Sequence, residues 1–219
     1  MPFYKTIDFD IKTRILIWNI TETYQQLAQD IVLTDISVAR ISAMKSPLQQ
    51  LGFLSIRQLI KLAGYSDFDL YYDGSGKPYL KDNRHISITH SFYFSAIIIS
   101  DRKVGIDIER ERDKIIKIAA KFSVEIISEK VKQNTDAYIR YLTVIWGAKE
   151  AIFKIKNKKG ISFKDHITVL PFDLESATAV AELHFSSVTA IFTIYFEPIQ
   201  GYTLVYAIET HPVTHPLLV

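Results

Sequence analysis

The chain has 219 residues, 48% of them hydrophobic and 23% charged, a composition typical of folded proteins and unlike that of disordered or collagen-like chains. A formal net charge of +2 is too small to indicate a general nucleic-acid-binding protein. The absence of cysteine excludes disulfides, thiolate metal sites and a cysteine nucleophile. The length allows one large domain or two small ones.

The amino-terminal residues lack the basic start and apolar core of a secretion signal. The most apolar run near them, Ile15 to Ile17, has only strand length. We therefore expect a cytoplasmic protein with neither a membrane span nor a nucleic-acid partner.

The first part of the chain combines strand and helix patterns. Its β-branched and aromatic content predicts a strand from Arg14 to Ile20, and a short helix is expected from Tyr24 to Leu33. Apolar residues from Ile36 to Ala63 recur at helical spacing, and Pro47 predicts a break within that region. Gly64 provides a stop.

A turn and two strands follow. The composition of Asp73 to Gly76 predicts a turn, and strands are expected from His85 to Thr89 and from Ser95 to Ser100. Asp101 to Lys103 is the next turn. We place a boundary there between two halves, residues 1–101 and 102–219, because nothing nearby has the composition of a flexible linker.

The second half is predicted to contain two long helices and then strands. The first helix spans Ile115 to Lys132, with an interruption near Phe122. Asp136 is expected to cap the second helix, which runs from Ala137 to about Lys156. Four strand-like segments follow, and Glu197 to Gly201 is predicted to be the loop of a final hairpin.

Two short segments, VGIDIE at 104–109 and WGAKEAIFK at 146–154, carry the charged residues of most interest. Alternate side chains of a strand share a face, so Asp107 and Glu109 are predicted to point the same way. Trp146, Glu150 and Lys154 lie four residues apart and form one stripe of a helix.

Three acids that converge on one place repel each other, and a hard divalent cation with a phosphate ligand is the simplest remedy. Each segment alone also fits a common alternative. Asp107 and Glu109 could line a solvent-facing strand edge, and Glu150 and Lys154 could form an exposed ion pair.

The pairing of GIDIE with WGAKEAIFK, some forty residues downstream, resembles the larger, single-chain, pseudo-twofold 4′-phosphopantetheinyl transferases of the surfactin-synthetase-activating type. The resemblance extends to GKP at 76–78, ITHS at 88–91 and GISFKDHITV at 160–169, and covers roughly residues 37–170. It implies an α+β fold of two similar halves, each with helices packed on a mostly antiparallel sheet and with the active site between them.

The implied activity is that of a holo-acyl-carrier-protein synthase. Such an enzyme transfers 4′-phosphopantetheine from coenzyme A to a serine of an apo acyl or peptidyl carrier protein in fatty-acid, polyketide or nonribosomal peptide biosynthesis. The resemblance implies Mg²⁺, with Mn²⁺ as an alternative, and a monomer suffices because one chain can supply both sides of the site.

The resemblance also assigns roles to residues. It implies Asp107, Glu109 and Glu150 as metal ligands, Glu150 as candidate base and Lys154 as a contact for the diphosphate. The remaining coenzyme A contacts that it implies are Arg40, Lys45, Lys77, Pro78, Thr89 and His90.

The sequence departs from many relatives in two places. Ser87 and Thr89 replace an asparagine and a serine, and Leu48-Gln49-Gln50 lies where relatives carry basic residues. We therefore expect Arg40 to hold the 3′-phosphate of coenzyme A together with His90. Two other hypotheses remain: a catalytically silent relative that only binds carrier protein or nucleotide, and an unrelated Mg²⁺-dependent phosphohydrolase.

Overall fold

The structure is a computed structural model that describes residues 3–210. Its strands are β1 (Phe3–Asp10), β2 (Thr13–Asn19), β3 (Leu70–Tyr72), β4 (Pro78–Leu80), β5 (His85–Ser91), β6 (Phe94–Ser100), β7 (Val104–Arg110), β8 (Ile167–Val169), β9 (Thr178–Phe185), β10 (Val188–Ile199) and β11 (Tyr202–Thr210). Its α-helices are α1 (Tyr24–Ala28), α2 (Asp35–Ser42), α3 (Pro47–Leu62), α4 (Lys114–Ile118), α5 (Glu129–Gln133), α6 (Thr135–Lys156) and α7 (Phe163–His166).

Two antiparallel sheets form the frame of the molecule. The first has the strand order β1-β2-β6-β5, and the second has the order β7-β11-β10-β9-β8. One long helix accompanies each sheet, α3 on the first and α6 on the second. This arrangement confirms the predicted α+β class. No described helix is long and apolar enough to cross a membrane.

A shared hydrophobic core joins the two sheets. Ile17 and Ile98 of the first sheet are fully buried in the same cluster as Ile106 and Leu204 of the second. Two further cores lie on the outer faces, one under α3 and one under α6. The middle core therefore fixes the sheets relative to each other, and it does so at the strands that carry the candidate site.

The elements around the predicted break at Pro47 are confirmed. α2 ends at Ser42, and Pro47 lies in the first turn of α3, where its missing N–H is no loss. α3 is followed by Gly64 with φ of +90°, a conformation that glycine adopts at no steric cost. The predicted strands near β2, β5 and β6 are also present.

Several predicted boundaries were wrong. β1 was missed, and the helix expected from Tyr24 to Leu33 ends at Ala28. The long helix expected from Ile115 to Lys132 is instead α4, a 3₁₀ turn, a loop and α5. This region forms no continuous helix because Phe122 and Ile127 turn inward to reach the core under α6.

Two further details differ in the second half. Asn134, and not Asp136, caps α6, since its side chain accepts the N–H of Ala137. The final hairpin has a two-residue turn, Gln200 and Gly201, both with positive φ, instead of a five-residue loop. Such a turn matches the twist of the strands, and β10 therefore continues through Pro198.

Candidate functional site

The site forms where β5 and β7 run side by side and join the two sheets. No strand ladder connects these two strands. Side-chain hydroxyls connect them instead, since Ser87 accepts the N–H of Ile106 at 3.1 Å and Thr89 accepts the N–H of Ile108 at 3.2 Å. Ser87 and Thr89 thus hold β7 in place beside β5.

Two glycines allow α6 to approach this junction closely. A Cβ on Gly105 would lie 2.0 Å from the carbonyl oxygen of Ala151, and one on Gly147 would lie 2.8 Å from the side chain of Val205. Both approaches are closer than real Cβ contacts allow, so these positions require glycine if the backbone is to stay in place. The approach sets the stripe of Glu150 and Lys154 against β7.

Asp107 is the central acid of the site and is almost fully buried. Its Oδ1 accepts hydrogen bonds from Lys154 Nζ at 2.8 Å and from the hydroxyl of Thr89 at 3.1 Å. Lys154 also donates to the carbonyl of Ile106 at 2.8 Å. Asp107 Oδ2 is buried without a hydrogen-bond partner among the described residues. An orphaned carboxylate oxygen is costly and indicates a missing cation or donor.

Glu109 and Glu150 complete the acidic group. Glu109 accepts a hydrogen bond from Ser91 at 3.3 Å. Burial, reinforced by the charge of Asp107, raises the pKa of Glu109 above its ordinary range. The same two causes, in that order, raise the pKa of Glu150 to about 7. The charges of these acids therefore interact. The strand and helix spacings had predicted that the acids lie near one another.

Lys154 does not pair with Glu150, its neighbour one helical turn away. Its ammonium group bonds to Asp107 instead. In the arrangement of residues 3–210, no three acidic or histidine side chains converge closely enough to hold a metal ion. Asp107 Oδ1 accepts the hydrogen bond from Lys154, which leaves Oδ2 as the buried oxygen without a donor among the described residues.

A cavity of about 280 Å³ opens beside the acidic group. Four of the predicted coenzyme A contacts, Arg40, Lys77, Pro78 and His90, line it together with Lys154. Apolar and aromatic side chains form much of the remaining wall, including Phe53, Ile56, Tyr72, Ile86, Ile88 and Phe153. A cationic rim around an aromatic wall suits a ligand that carries both phosphates and a flat ring.

The cationic residues of this cavity are held in place. The Arg40 guanidinium lies over the ring of Tyr72, 4.6 Å from its centroid, and Lys77 Nζ donates to the carbonyl of Ile155 at 2.5 Å. Protein atoms around the His90 ring and the charge of Lys154 lower the pKa of His90. The imidazole, although open to the cavity, is therefore neutral near pH 7 and can donate one hydrogen bond and accept another.

Two predicted contacts do not line the cavity. Lys45 is not part of the wall. The hydroxyl of Thr89 is buried against β7, between Asp107 and the N–H of Ile108, and acts on the site through Asp107. Sequence reasoning missed Ser75 and Asn157, which hydrogen-bond to each other and close one side of the wall. The turn composition around Ser75 was the only signal for them.

A second missed feature is the ion pair next to Glu150. Lys149 is fully buried, and its ammonium group lies 2.6 Å from Glu125 Oε1 and donates to the carbonyls of Phe122 and Phe163. Burial alone would raise the pKa of Glu125, but hydrogen bonds from Lys149 and Ser123 lower it, so this acid is ionised. The pair ties the loop after α4 to the middle of α6.

Comparisons with known proteins relate the second half of the chain to a known family. Residues 103–206 match the model of the 4′-phosphopantetheinyl transferase superfamily. The chain is 31% identical over 94 residues to the 4′-phosphopantetheinyl transferase psf-1 of Bacillus pumilus, an alignment that covers 42% of this chain and 40% of that protein. Both β7 and α6, which carry the acidic group, lie inside the matched region.

Proposed function

We propose that the chain is a member of the 4′-phosphopantetheinyl transferase superfamily, whose model matches residues 103–206, and that it transfers 4′-phosphopantetheine from coenzyme A to a serine of an apo acyl or peptidyl carrier protein and releases 3′,5′-ADP. One observation carries this proposal above the others: Lys154, which bonds to Asp107 of the acidic group, also lines a cavity rimmed by Arg40, Lys77 and His90. The alternative function, a phosphohydrolase, would use the acidic residues, but it would not account for the cationic cavity.

The cavity suits coenzyme A because its two kinds of wall match the two ends of the nucleotide. The aromatic residues Tyr72 and Phe153 would contact the adenine, and Arg40 and His90 would contact the 3′-phosphate. Lys154, between the cavity and Asp107, would contact the diphosphate. In this proposal residues 1–101 form most of the coenzyme A side, and residues 102–219 supply the acidic group.

The donor set fits a Mg²⁺ ion, although it is not arranged around one. Asp107 Oδ2 is an oxygen without a partner, and Glu109 and Glu150 have raised pKa values because their charges are buried together. We propose that Asp107, Glu109 and Glu150 hold Mg²⁺, or Mn²⁺, after their side chains rearrange. The ion would neutralise charge on the diphosphate.

Glu150 is the proposed base. A carboxylate with a pKa of about 7 is a far better proton acceptor than an ordinary glutamate and is still partly ionised at neutral pH. It would take the proton of the carrier serine as that hydroxyl attacks the β-phosphate of coenzyme A. Lys154 would stabilise the charge that develops on the diphosphate oxygens. No covalent intermediate with this chain is needed.

The deciding experiment is a carrier-loading assay. The protein is incubated with coenzyme A, Mg²⁺ and an apo carrier protein, and the carrier is then weighed by mass spectrometry. Addition of one phosphopantetheine to the carrier supports the proposal. If the protein binds coenzyme A but modifies none of a panel of acyl and peptidyl carriers, it is a catalytically silent binding protein. Hydrolysis of the diphosphate without transfer would leave a phosphohydrolase.

Two variants connect the activity to the acidic group. Asp107→Ala and Glu150→Ala should each abolish transfer while the circular dichroism spectrum stays that of the folded protein, because each removes one of three clustered acids. Glu175→Ala, an exposed acid outside the site, is the matched control and should transfer normally. A folded Glu150→Ala protein with wild-type turnover at saturating Mg²⁺ would remove Glu150 from the mechanism.

A further inference from the structure

A second cavity, which we call the basic cavity, lies behind the proposed coenzyme A cavity. It has a volume of about 420 Å³ and is bounded by the starts of β4, β5 and β7 and by the end of α6. Five basic side chains line it: Lys77, Lys103, Lys156, Lys158 and His85. No carboxylate of the described residues belongs to its lining. The concentration of positive charge is unusual for a chain whose net charge is only +2.

Contacts within the protein account for only part of this charge. Lys77 is held by the carbonyl of Ile155, and Lys156 is paired with Glu209 at 2.6 Å. Lys103 lies 3.8 Å from the same carboxylate, and Lys158 makes no ion pair within residues 3–210. One acid next to the cavity is therefore shared by two lysines, which leaves positive charge unbalanced.

The protonation behaviour of the lining is consistent with this excess. Burial lowers the pKa of Lys77, and the charges of Lys103 and Lys156 lower it further, against the opposing charge of Asp73. Burial also lowers the pKa of His85, with Lys77 and Lys103 adding to the effect against Asp101 and Glu209. A bound anion would relieve each of these repulsions.

We propose that the basic cavity is a second phosphate-binding site, distinct from the coenzyme A cavity, in which Lys103, Lys156 and Lys158 bind a phosphate group. Lysine ammonium groups are strong point-charge donors to phosphate oxygens, and of the three Lys156 is largely buried. Phosphate binding here does not depend on the proposed transfer reaction, so the two proposals fail separately.

The two cavities share a wall of Lys77, Pro78 and Ile86. The shared wall places the basic cavity next to the coenzyme A cavity without making the two one site. Two sources share this chemistry: free phosphate and the 3′-phosphate of coenzyme A.

Titration calorimetry with inorganic phosphate at fixed ionic strength tests the proposal. Wild type should bind phosphate saturably, and the double variant Lys103→Ala/Lys158→Ala should bind it at least about tenfold more weakly, since it loses two charge-assisted contacts. Both lysines are exposed, so the variant should fold. Lys159→Ala, the neighbouring lysine outside the lining, is the control and should bind like wild type.

Absence of saturable phosphate binding, or equal binding by wild type and the double variant, would overturn the proposal. Competition then identifies the source. If neither coenzyme A nor its dephospho form displaces phosphate, free phosphate is the occupant; if only coenzyme A displaces it, the 3′-phosphate is. Displacement by both forms would mean that phosphate occupied the coenzyme A cavity, and would also overturn the proposal.

Discussion

Glu150 is the acid whose protonation is most altered by its surroundings. Burial and the charge of Asp107 raise its pKa from an ordinary 4.5 to about 7. Between these values the folded protein keeps a proton that the unfolded chain has lost, so stability falls as pH rises through this window and is lowest above pH 7. Glu150 should therefore lower the melting temperature of the metal-free wild type at about pH 8 relative to about pH 5, against the opposite trend from His85 and His90, whose pKa values are lowered.

Glu150→Gln should weaken this pH dependence and should melt above wild type at about pH 8, because the amide carries no buried charge. Thermal unfolding followed by circular dichroism in a chelator measures both effects. Glu175→Gln, on an exposed turn, serves as the control and should follow the wild-type profile. If the Glu150→Gln profile also follows wild type, Glu150 does not titrate with a raised pKa.

Arg40 is expected to anchor the 3′-phosphate of coenzyme A from its position over Tyr72 in the cavity wall. An arginine–phosphate hydrogen bond contributes about 1.5–3 kcal/mol, so Arg40→Ala should raise the coenzyme A dissociation constant roughly ten- to a hundredfold. Titration calorimetry gives this constant. Lys45→Ala, whose side chain is outside the wall, is the matched control and should bind normally.

Dephospho-coenzyme A isolates the contact of Arg40. Wild type should prefer coenzyme A to the dephospho form, and Arg40→Ala should lose most of that preference because the phosphate has lost its partner. If the variant retains the full preference, Arg40 does not hold the 3′-phosphate, and Lys77 or the lysines of the basic cavity hold it instead.

The sequence predicted most of the acidic group but not its partners. Strand and helix periodicity predicted that Asp107, Glu109 and Glu150 converge; their charges do interact, but no three acids of the described residues lie close enough to hold a metal ion. The partner of Lys154 depends on how closely α6 approaches β7, which is a tertiary property, so periodicity suggested Glu150 and the structure has Asp107. The burial of Lys149 could not be predicted from the sequence, because it also depends on tertiary packing.

At the scale of the elements, the approach of α6 to β7 depends on Gly105. A Cβ there would overlap the backbone carbonyl of Ala151 at 2.0 Å, and backbone cannot move aside as a flexible side chain can. Gly105→Ala should therefore destabilise the protein by about 1–3 kcal/mol or more, which lowers the melting temperature by several degrees. It should also reduce transfer, because Lys154 and Glu150 move away from Asp107.

Gly74→Ala provides the control for this prediction, since a Cβ at Gly74 meets no atom within 4 Å. Its melting temperature, measured in the same thermal scans, should change little. If Gly105→Ala has the same melting temperature as Gly74→Ala and transfers normally, the site does not depend on the close approach of α6 to β7.

The elements themselves were predictable to different degrees. α3, α6 and the strands with continuous apolar runs have strong local signals, as the confirmed start of α3 at Pro47 shows. β1 was missed because only one of its faces is covered and its burial pattern is irregular. The spacing of apolar residues after Lys114 predicts a helix. Burial of Phe122 and Ile127 in the core under α6 stabilises the protein more than a continuous helix would.

At the scale of the whole molecule, the proposed transfer would require a carrier protein to reach the acidic group from outside. Three exposed lysines, Lys114, Lys117 and Lys121, follow β7 in the chain, and Ile126 a few residues later is also exposed. Carrier proteins with acidic recognition helices would meet this surface, so the Michaelis constant for the carrier should rise with ionic strength. Steady-state kinetics at several salt concentrations measure this Michaelis constant. If it does not change with salt, the contact with the carrier is apolar and not ionic.

The two sheets should unfold as one unit because they share a core. Ile98 of the first sheet and Ile106 and Leu204 of the second are buried in one cluster, so separating the sheets exposes apolar surface on both. The chain offers a direct test, since its two tryptophans report on different sheets: Trp18 lies in the core under α3, and Trp146 packs against the core under α6.

Trp18→Phe leaves Trp146 as the only fluorescent tryptophan, and Trp146→Phe leaves Trp18. In each variant the urea midpoint from tryptophan fluorescence should coincide with the midpoint from far-ultraviolet circular dichroism, which follows both sheets together. Comparison within one variant removes the effect of the substitution itself on stability. If Trp146 fluorescence changes at a lower urea concentration than the dichroism signal, the second sheet unfolds by itself. The junction of Ser87 and Thr89 with β7 would then be too weak to couple the two sheets.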